Sequence, residues 1–253
     1  MSPMQRYFIE PENLANEQIT ISGDDAKHIA RVMRNKIGDR VICSDRSGNS
    51  YICEISHIEV KQITLDIVSD FSENNEPRVR ITLYQGLMKA DKMELVLQKG
   101  TEIGISTFVP VDMKFSVSKW EQDRQDKKLE RWRKIVKEAA EQSHRSIIPE
   151  VLSAISFRDL VQGVLEKHSL VLLAYEKSQL SQGILALLKQ HPNSTDIAII
   201  IGPEGGVSEK ECQMAVDNGV HLVNLGPRIL RAETAGLVAA TGVLFVNGEL
   251  GEI

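Results

Sequence analysis

The segment Ile201-Gly202-Pro203-Glu204-Gly205-Gly206-Val207-Ser208 sets one carboxylate among glycines. Glycine lets a backbone approach a ligand closely and adopt positive φ. The loop lacks the Gly-Lys-Ser/Thr of a phosphate-cradling P-loop and the spacing of a dinucleotide fingerprint. A phosphate beside Glu204 would be repelled, so a cationic or zwitterionic ligand suits the loop better. A tight strand-to-helix turn is the plainer alternative. A second chemical cluster is Leu225-Gly226-Pro227-Arg228-Ile229-Leu230-Arg231-Ala232-Glu233-Thr234-Ala235. Arg228, Arg231 and Glu233 crowd a turn that packing alone would not need, and Thr234 could help satisfy the helix start. The strand end Leu173-Ala174-Tyr175-Glu176 is a third candidate edge, uninformative alone.

All three segments leave strands. Ile197–Ile201 is a continuous apolar run, as a strand covered on both faces should be. His221–Leu225 and Leu170–Ala174 are also read as strands. Ser208 and Glu211 form an S-x-x-E capping box, which marks the start of a helix over Ser208–Asn218. Further strands are expected at Val79–Tyr84 and Phe108–Val111. Helices are expected over Asp91–Ile103, Arg124–Ser143, Phe157–Lys167, Leu180–Lys189 and Glu233–Val246. Alternating strands and helices predict an α/β domain with a mostly parallel sheet, and ligands bind such sheets at the carboxyl ends of the strands.

Residues 1–71 have a different character. Val41–Ser44 and Tyr51–Ile55 flank the turn cluster Asp45-Arg46-Ser47-Gly48-Asn49, a hairpin signal, and Ile63–Val68 alternates. One helix is expected over Asp24–Arg34, burying Ile29, Val32 and Met33 and placing Lys27, Arg31 and Arg34 on another face. Ser72-Glu73-Asn74-Asn75-Glu76-Pro77 reads as a linker, so the domains are 1–71 and 78–253.

The 253 residues carry 30 basic and 35 acidic side chains, a net charge of −5, which counts against a protein that coats nucleic acid non-specifically. A local basic face remains compatible with that balance. The 3 cysteines form no CxxC, so neither a disulfide framework nor a zinc site is expected, and the histidines show no ligand spacing. No signal peptide and no membrane span is expected, which implies a cytoplasmic protein. Trp120 and Trp132 are read as packing residues.

Seven segments, in order, resemble the bacterial ribosomal RNA small subunit methyltransferase E family of the SPOUT class. They are Arg6-Tyr7-Phe8; His28-Ile29-Ala30-Arg31-Val32-Met33-Arg34; Lys89-Ala90-Asp91-Lys92-Met93-Glu94; Gln98 to Gly104; Glu138 to Arg145; Gly202 to Gly206; and Leu225 to Ala235. The resemblance implies a methyltransferase acting on N3 of one uridine in 16S rRNA with S-adenosyl-methionine. It implies a PUA-like β-barrel, a C-terminal α/β domain with a deep trefoil knot, and a homodimer with active sites at or near the subunit interface. The family's pattern has Arg before Ser116, where this chain has Phe115, which leaves open a phosphate contact there. Met33 stands where Leu is common, and Val207 where a larger residue is.

On this reading the cofactor contacts are Leu173, Ala174, Tyr175, Glu176, Ile201, Gly202, Pro203, Glu204, Gly205, Leu225, Gly226, Ile229, Leu230, Thr234 and Ala235. The expected RNA contacts are Arg6, Lys27, His28, Arg31, Arg34, Lys89, Lys92 and Arg145; a structural role for His144 and Arg145 is an equal alternative. Methylating uracil N3 calls for a carboxylate to take its proton and a cation to hold charge spreading onto O2 or O4. Glu204 or Glu233 can do the first and Arg231 or Arg228 the second, with Arg231 preferred. Two other readings stand beside this one. One is an α/β enzyme of nucleotide phosphates, which the missing lysine and Glu204 disfavour. The other is a non-catalytic RNA-binding assembly factor, for which the Gly-rich and Arg-Glu-Thr loops would be idle.

Overall fold

A computed structural model of the chain describes residues 4–45, 48–118, 120, 125–164, 166–175 and 181–251. Arg46, Ser47, Arg124, Glu176 and Leu180, which enter the expectations above, lie outside the described residues. The chain divides into two compact units, residues 1–76 with 140–148, and residues 77–139 with 149–253. The short segment 140–148 thus clusters with the first unit, although it follows a long stretch of the second.

The first unit is built on strands β1 (Arg6–Phe8), β2 (Leu14–Ala15), β3 (Gln18–Ser22), β4 (Arg40–Ser44), β5 (Ser50–Ile58) and β6 (Gln62–Asp70). They form one sheet in the order β1-β4-β5-β6-β3-β2, antiparallel throughout except for the β1–β4 pair. Its core takes every second residue: Ile19 and Ile21, Val41 and Cys43, Cys53 and Ile55, Ile63 and Leu65. That is the period of a sheet with one covered face. The expected hairpin closes with Asp45 N bonded to Asn49 O at 2.9 Å.

The expected helix over 24–34 is corrected. An α-turn, α1 (Gly23–Lys27), gives way to a π-turn over His28–Val32. Met33 N reaches five residues back to His28 O at 2.9 Å. The wider turn changes the phase of the side chains. Ile29 remains fully buried, but Val32 is 65% and Met33 40% exposed, so the predicted buried stripe does not form. Arg34 adopts φ +57°, which ends the turn, and no single α-helical face carries Lys27, Arg31 and Arg34.

The second unit contains β7 (Arg80–Gly86), α2 (Ala90–Ile103), β8 (Thr107–Asp112), α3 (Gln125–Gln142, its last residues in the first unit), β9 (Glu150–Val151) and β10 (Ile155–Ser156). It continues with α4 (Phe157–Gly163), β11 (Leu170–Ala174), β12 (Gln182–Gly183), α5 (Ile184–Gln190), β13 (Asp196–Ile201), α6 (Glu209–Asp217), β14 (His221–Asn224) and α7 (Ala232–Val246). The sheet runs β10-β8-β7-β13-β11-β14-β12, with β9 against β8, and its strand pairs are parallel. Central β13 is buried on both faces. Ala198 and Ile200 join the core beneath α4 and α6, while Ile197 and Ile199 point the other way and are also fully buried. Helix α3 buries Leu129, Trp132, Val136 and Ala139 at helical spacing, as expected from the sequence. Helix α4 ends at Gly163, short of the expected Lys167. Among the described residues no helix is long and apolar enough to cross a membrane.

Candidate active site

Strand register brings the three chemical segments together. Leu173 of β11 pairs with Ile200 of β13 on one side and with Leu222 of β14 on the other. The three parallel strands therefore end at one level, and their loops leave side by side. A cavity of about 390 Å³ lies among them. It is lined by Ala174 and Tyr175 after β11, by residues 201–204 with Gly206 and Val207 after β13, and by residues 223–226 and 228–233 with Ala235 after β14. That volume suits a small organic cofactor.

Local chemistry holds each loop. Gly86, at the end of β7, sits so close to the Gly-rich loop that a Cβ there would lie 2.6 Å from Pro203 Cδ. Only glycine permits that approach. Gly206 has φ +78° and reverses the chain before α6. The capping box forms as expected: Glu211 N donates to Ser208 Oγ at 3.3 Å, and Ser208 N to Glu211 Oε2 at 3.0 Å. Glu211 Oε1 also accepts Lys114 N at 2.7 Å, which ties the turn after β8 to this helix start. Helix α7 begins differently. Thr234 is exposed and makes no cap; Arg231 is the N-cap residue, with no side-chain cap bond. Its carbonyl accepts Thr234 N and Ala235 N, each at 2.9 Å.

Two carboxylates and one ammonium meet in the cavity. Lys92, in the first turn of α2, holds Nζ 3.5 Å from Glu204 Oε1 and 3.4 Å from Glu233 Oε2. Lys89 N donates to Glu204 Oε1 at 3.4 Å. Glu204 Oε2 and Glu233 Oε2 are buried and accept no hydrogen bond; the Lys92 ammonium is near the latter but poorly angled for one. Glu233 stands in the first turn of α7, where the helix dipole favours an anion. Arg228 and Arg231 line the cavity, are exposed, and make no ion pair among the described residues. Buried carboxylate oxygens without donors call for a cationic or hydrogen-bond-donating ligand. The cavity's residues thus fit a sulfonium compound with an amino group.

Several expected cofactor contacts are placed elsewhere. Leu173 is fully buried in the core and does not line the cavity. Gly205 faces away: a Cβ there would lie 2.6 Å from Phe115 Cβ, not in ligand space, and its φ is not positive. Thr234 points outward. Glu176 lies outside the described residues. Conversely, Val207, Val223, Asn224 and Ala232 line the cavity without having been assigned to the cofactor, while Gly206 and Arg228, expected in its wall, do line it. Val223 and Asn224 end β14, so the strand-end rule could have found them. Lys92, expected on RNA, belongs to the cavity.

The RNA candidates of the first unit also separate. Arg6 is 1% exposed. Its guanidinium donates to Ser44 Oγ at 3.0 Å and Ser50 Oγ at 3.3 Å, and lies over the Phe71 ring at 5.4 Å. Arg145 is 4% exposed, with Nε 3.2 Å from Glu76 Oε2. Both are interior residues and present no surface to RNA. His28 is half-buried, with Nδ1 2.9 Å from Tyr7 Oη. Lys27 pairs with Asp24 at 3.1 Å on the surface. Arg31 and Arg34 are exposed, as is Lys89 of the second unit. Burial and the Arg6 charge push the His144 imidazole below its usual range. Among the described residues no cluster of His, Cys, Asp and Glu could hold a metal ion, and the three cysteines are free and buried.

Comparison with known proteins gives a consistent picture. Residues 74–244 match the model of an RNA methyltransferase domain, and residues 21–68 that of an RNA methyltransferase PUA domain. The chain is 37% identical over 252 residues to the ribosomal RNA small subunit methyltransferase E of Bacillus subtilis, covering 96% of each chain. It is 33% identical to the protein of the same name from Synechocystis, covering 92% of this chain and 75% of that one. A crystal structure of the Neisseria gonorrhoeae ribosomal RNA small subunit methyltransferase E bound to S-adenosyl methionine superposes with a TM-score of 0.85 at 29% identity, over 96% of this chain and 98% of that one.

Proposed function

The chain belongs to the ribosomal RNA small subunit methyltransferase E family, and on that footing we propose that it methylates N3 of one uridine in the 16S rRNA of the small ribosomal subunit, using S-adenosyl-methionine, in the cytoplasm. The observation that carries this reading is the cavity where Glu204, Glu233, Lys92 and Arg231 meet at the ends of three parallel strands.

When bound, S-adenosyl-methionine would supply a methyl group on a positively charged sulfur, which keeps the S–C electron pair and leaves as a neutral thioether when the methyl is taken by a nucleophile. The chain's own residues do the rest. The backbone edges of residues 201–204 and 225–230 and the half-enclosed walls hold the cofactor and limit water. The donorless oxygens of Glu204 and Glu233 attract its cationic groups. Uracil N3 carries a weakly acidic proton, which must leave as the N–C bond forms. A carboxylate oxygen of Glu204 or Glu233 takes it. The charge that would build on O2 or O4 of the base is held by Arg231, whose exposed side chain lines the cavity. Lys92 holds the two carboxylates in place.

The larger architecture is read in the same way. The second unit is proposed to carry the SPOUT trefoil knot, and the first to close as a PUA-like barrel that grips RNA through Arg31 and Arg34. Helix α7 leaves Val238 41%, Phe245 68% and Val246 36% exposed, an apolar stripe on one side of the helix. This supports a homodimer, which light scattering would register as twice 28.2 kDa.

The test is methyl transfer from radiolabelled S-adenosyl-methionine to 16S rRNA and to small subunits, followed by primer extension. An N3-methyl blocks Watson–Crick pairing and stops reverse transcriptase. Label without a stop would move the reaction to another atom. No label in either substrate would refute the proposal.

A further inference from the structure

We infer that Phe115 is a stacking platform for an unpaired base of the RNA substrate, beside the cavity; the inference rests on the function proposed above. Phe115 sits in the turn after β8. Ser116 N donates to Met113 O at 3.0 Å, and Met113 N to Ser116 Oγ at 3.1 Å, so the turn is closed in both directions. Lys114 N is fastened to Glu211 Oε1 at 2.7 Å, in the capping box of α6. The Phe115 Cβ packs on Gly205, between two residues that line the cavity. The backbone and Cβ of Phe115 are therefore fixed directly against the Gly-rich loop.

The ring itself is left open. Met113, two residues earlier, is buried in the core, whereas Phe115 is 42% exposed and Val117 is 60% exposed. An aromatic side chain anchored at its backbone and Cβ and left partly open to solvent favours a partner with a flat face. Lys114 Nζ lies 5.1 Å from the ring centroid. A cation at an aromatic face supplies what a nucleotide needs: a ring for the base and a positive charge for its phosphate. Duplex RNA hides its base faces, so the occupant is a base that has left its stack. Charge and chemistry thus select a single-stranded nucleotide over an apolar protein surface, which would leave the Lys114 ammonium without an anion.

The experiment compares Phe115→Ala, Phe115→Leu and Phe115→Trp with wild type in the full chain. The readouts are filter binding to 16S rRNA, single-turnover methyl transfer, calorimetry with S-adenosyl-methionine, and light scattering. Deleting one base–aromatic stack weakens nucleic-acid binding roughly 5- to 100-fold, and that loss is expected for Phe115→Ala. Phe115→Leu keeps the contact with Gly205 but has no π face, and it should lose a similar factor. Phe115→Trp should bind as well as wild type or better. Cofactor affinity and molecular mass should not move in any variant. Wild-type RNA affinity in Phe115→Ala or Phe115→Leu overturns the platform while leaving the methyltransferase reading intact. A mass that falls in Phe115→Ala also overturns it, because the ring then serves an interface between copies. A wild-type chain that neither binds nor methylates RNA overturns both readings.

Discussion

Lys92 Nζ stands 3.4 Å from Glu233 Oε2, and the same ammonium lies 3.5 Å from Glu204 Oε1. One cation thus joins the first turn of α2 to the Gly-rich loop and to the first turn of α7. The Lys92 side chain is 26% exposed and that of Glu233 11%, so the pair lies between a solvent-screened and a fully buried one. Lys92→Met should lower stability by about 2 kcal/mol, intermediate between those two classes. For a domain of this size that is a fall of roughly 4–8 °C in Tm. Glu233→Gln combined with Lys92→Met should cost clearly less than the sum of the two single changes, since each removes the same attraction. Additive losses in the four-protein cycle would show that the two side chains are not coupled.

That relationship was not legible in the sequence, and the reason is physical. Lys92 was expected on RNA, because nothing local distinguishes a lysine on a wet helix face from one turned into a cavity. Its partners come from segments more than a hundred residues later, and only the folded parallel sheet brings them near. Ser208 and Glu211 were legible because a capping box is made within one turn. The alternation in β6 and the long apolar run of β13 were legible for the same reason: burial writes its period directly into the chain. The π-turn at His28 shows the opposite. Its apolar residues keep an α-helical spacing, yet one widened turn leaves Val32 and Met33 in water. Arg6 was assigned to RNA and Arg145 to RNA or to a structural role, and the sequence could not decide, because Ser44, Ser50 and Glu76, which hold them inside, lie far away in the chain.

The glycines of the site should differ in an order that torsion angles alone would not give. Gly206 has φ +78°, but a Cβ there meets nothing within 4 Å. Gly206→Ala should cost about 1 kcal/mol, the strain of a left-handed residue. Gly205 has no positive φ, but a Cβ there lies 2.6 Å from Phe115 Cβ and 3.0 Å from Phe115 O. Those atoms belong to a fixed turn and cannot yield. Gly205→Val should therefore cost about 3 kcal/mol or more, from overpacking. Thermal melts of both variants decide the order. A Gly205→Val protein at least as stable as Gly206→Ala would mean that the turn at Phe115 moves freely.

Acid should weaken the fold partly through two histidines. Burial and the Arg6 charge push His144 below its ordinary value of 6.5, with Glu73 opposing. Burial and the neighbouring His191 push His221 down in the same way. Each therefore takes up its proton more readily in the unfolded chain. Stability rises with pH wherever the unfolded state binds more protons. Their contribution is complete above 6.5 and is lost as pH falls from there toward the folded-state value. Melting temperatures measured from about pH 7.5 down to about pH 5.5 should drop, and His144→Asn with His221→Asn should flatten that part of the curve. A double variant with the wild-type slope would assign the acid sensitivity to other groups.

The arginines expected to act on RNA or on the reacting base should fail in three distinct ways. Arg145 is interior, and the Glu76 carboxylate that pairs with it also accepts Ser146 N at 2.8 Å. Arg145→Ala leaves that carboxylate buried without its cation and should cost about 3 kcal/mol of stability. Arg31 and Arg34 are exposed, and replacing both with Ala should leave the melt unchanged. RNA affinity should drop, and the slope of log affinity against log salt should flatten by about one unit per lost phosphate contact. Cofactor affinity should stay the same, because the cavity lies wholly in the second unit. Arg231→Ala should do the reverse. RNA should still bind, while single-turnover methyl transfer at saturating substrate falls by roughly 10²–10³, the usual cost of one charge-stabilising donor. Its target is charge that develops only in the transition state, so ground-state binding has little to lose. Melts, filter binding at several salt concentrations and single-turnover rates on the three proteins separate these outcomes. An unchanged salt slope in the Arg31/Arg34 variant would make those residues a merely solvated face. An Arg231→Ala protein that loses RNA affinity but keeps its rate would move Arg231 from charge stabilisation to substrate binding.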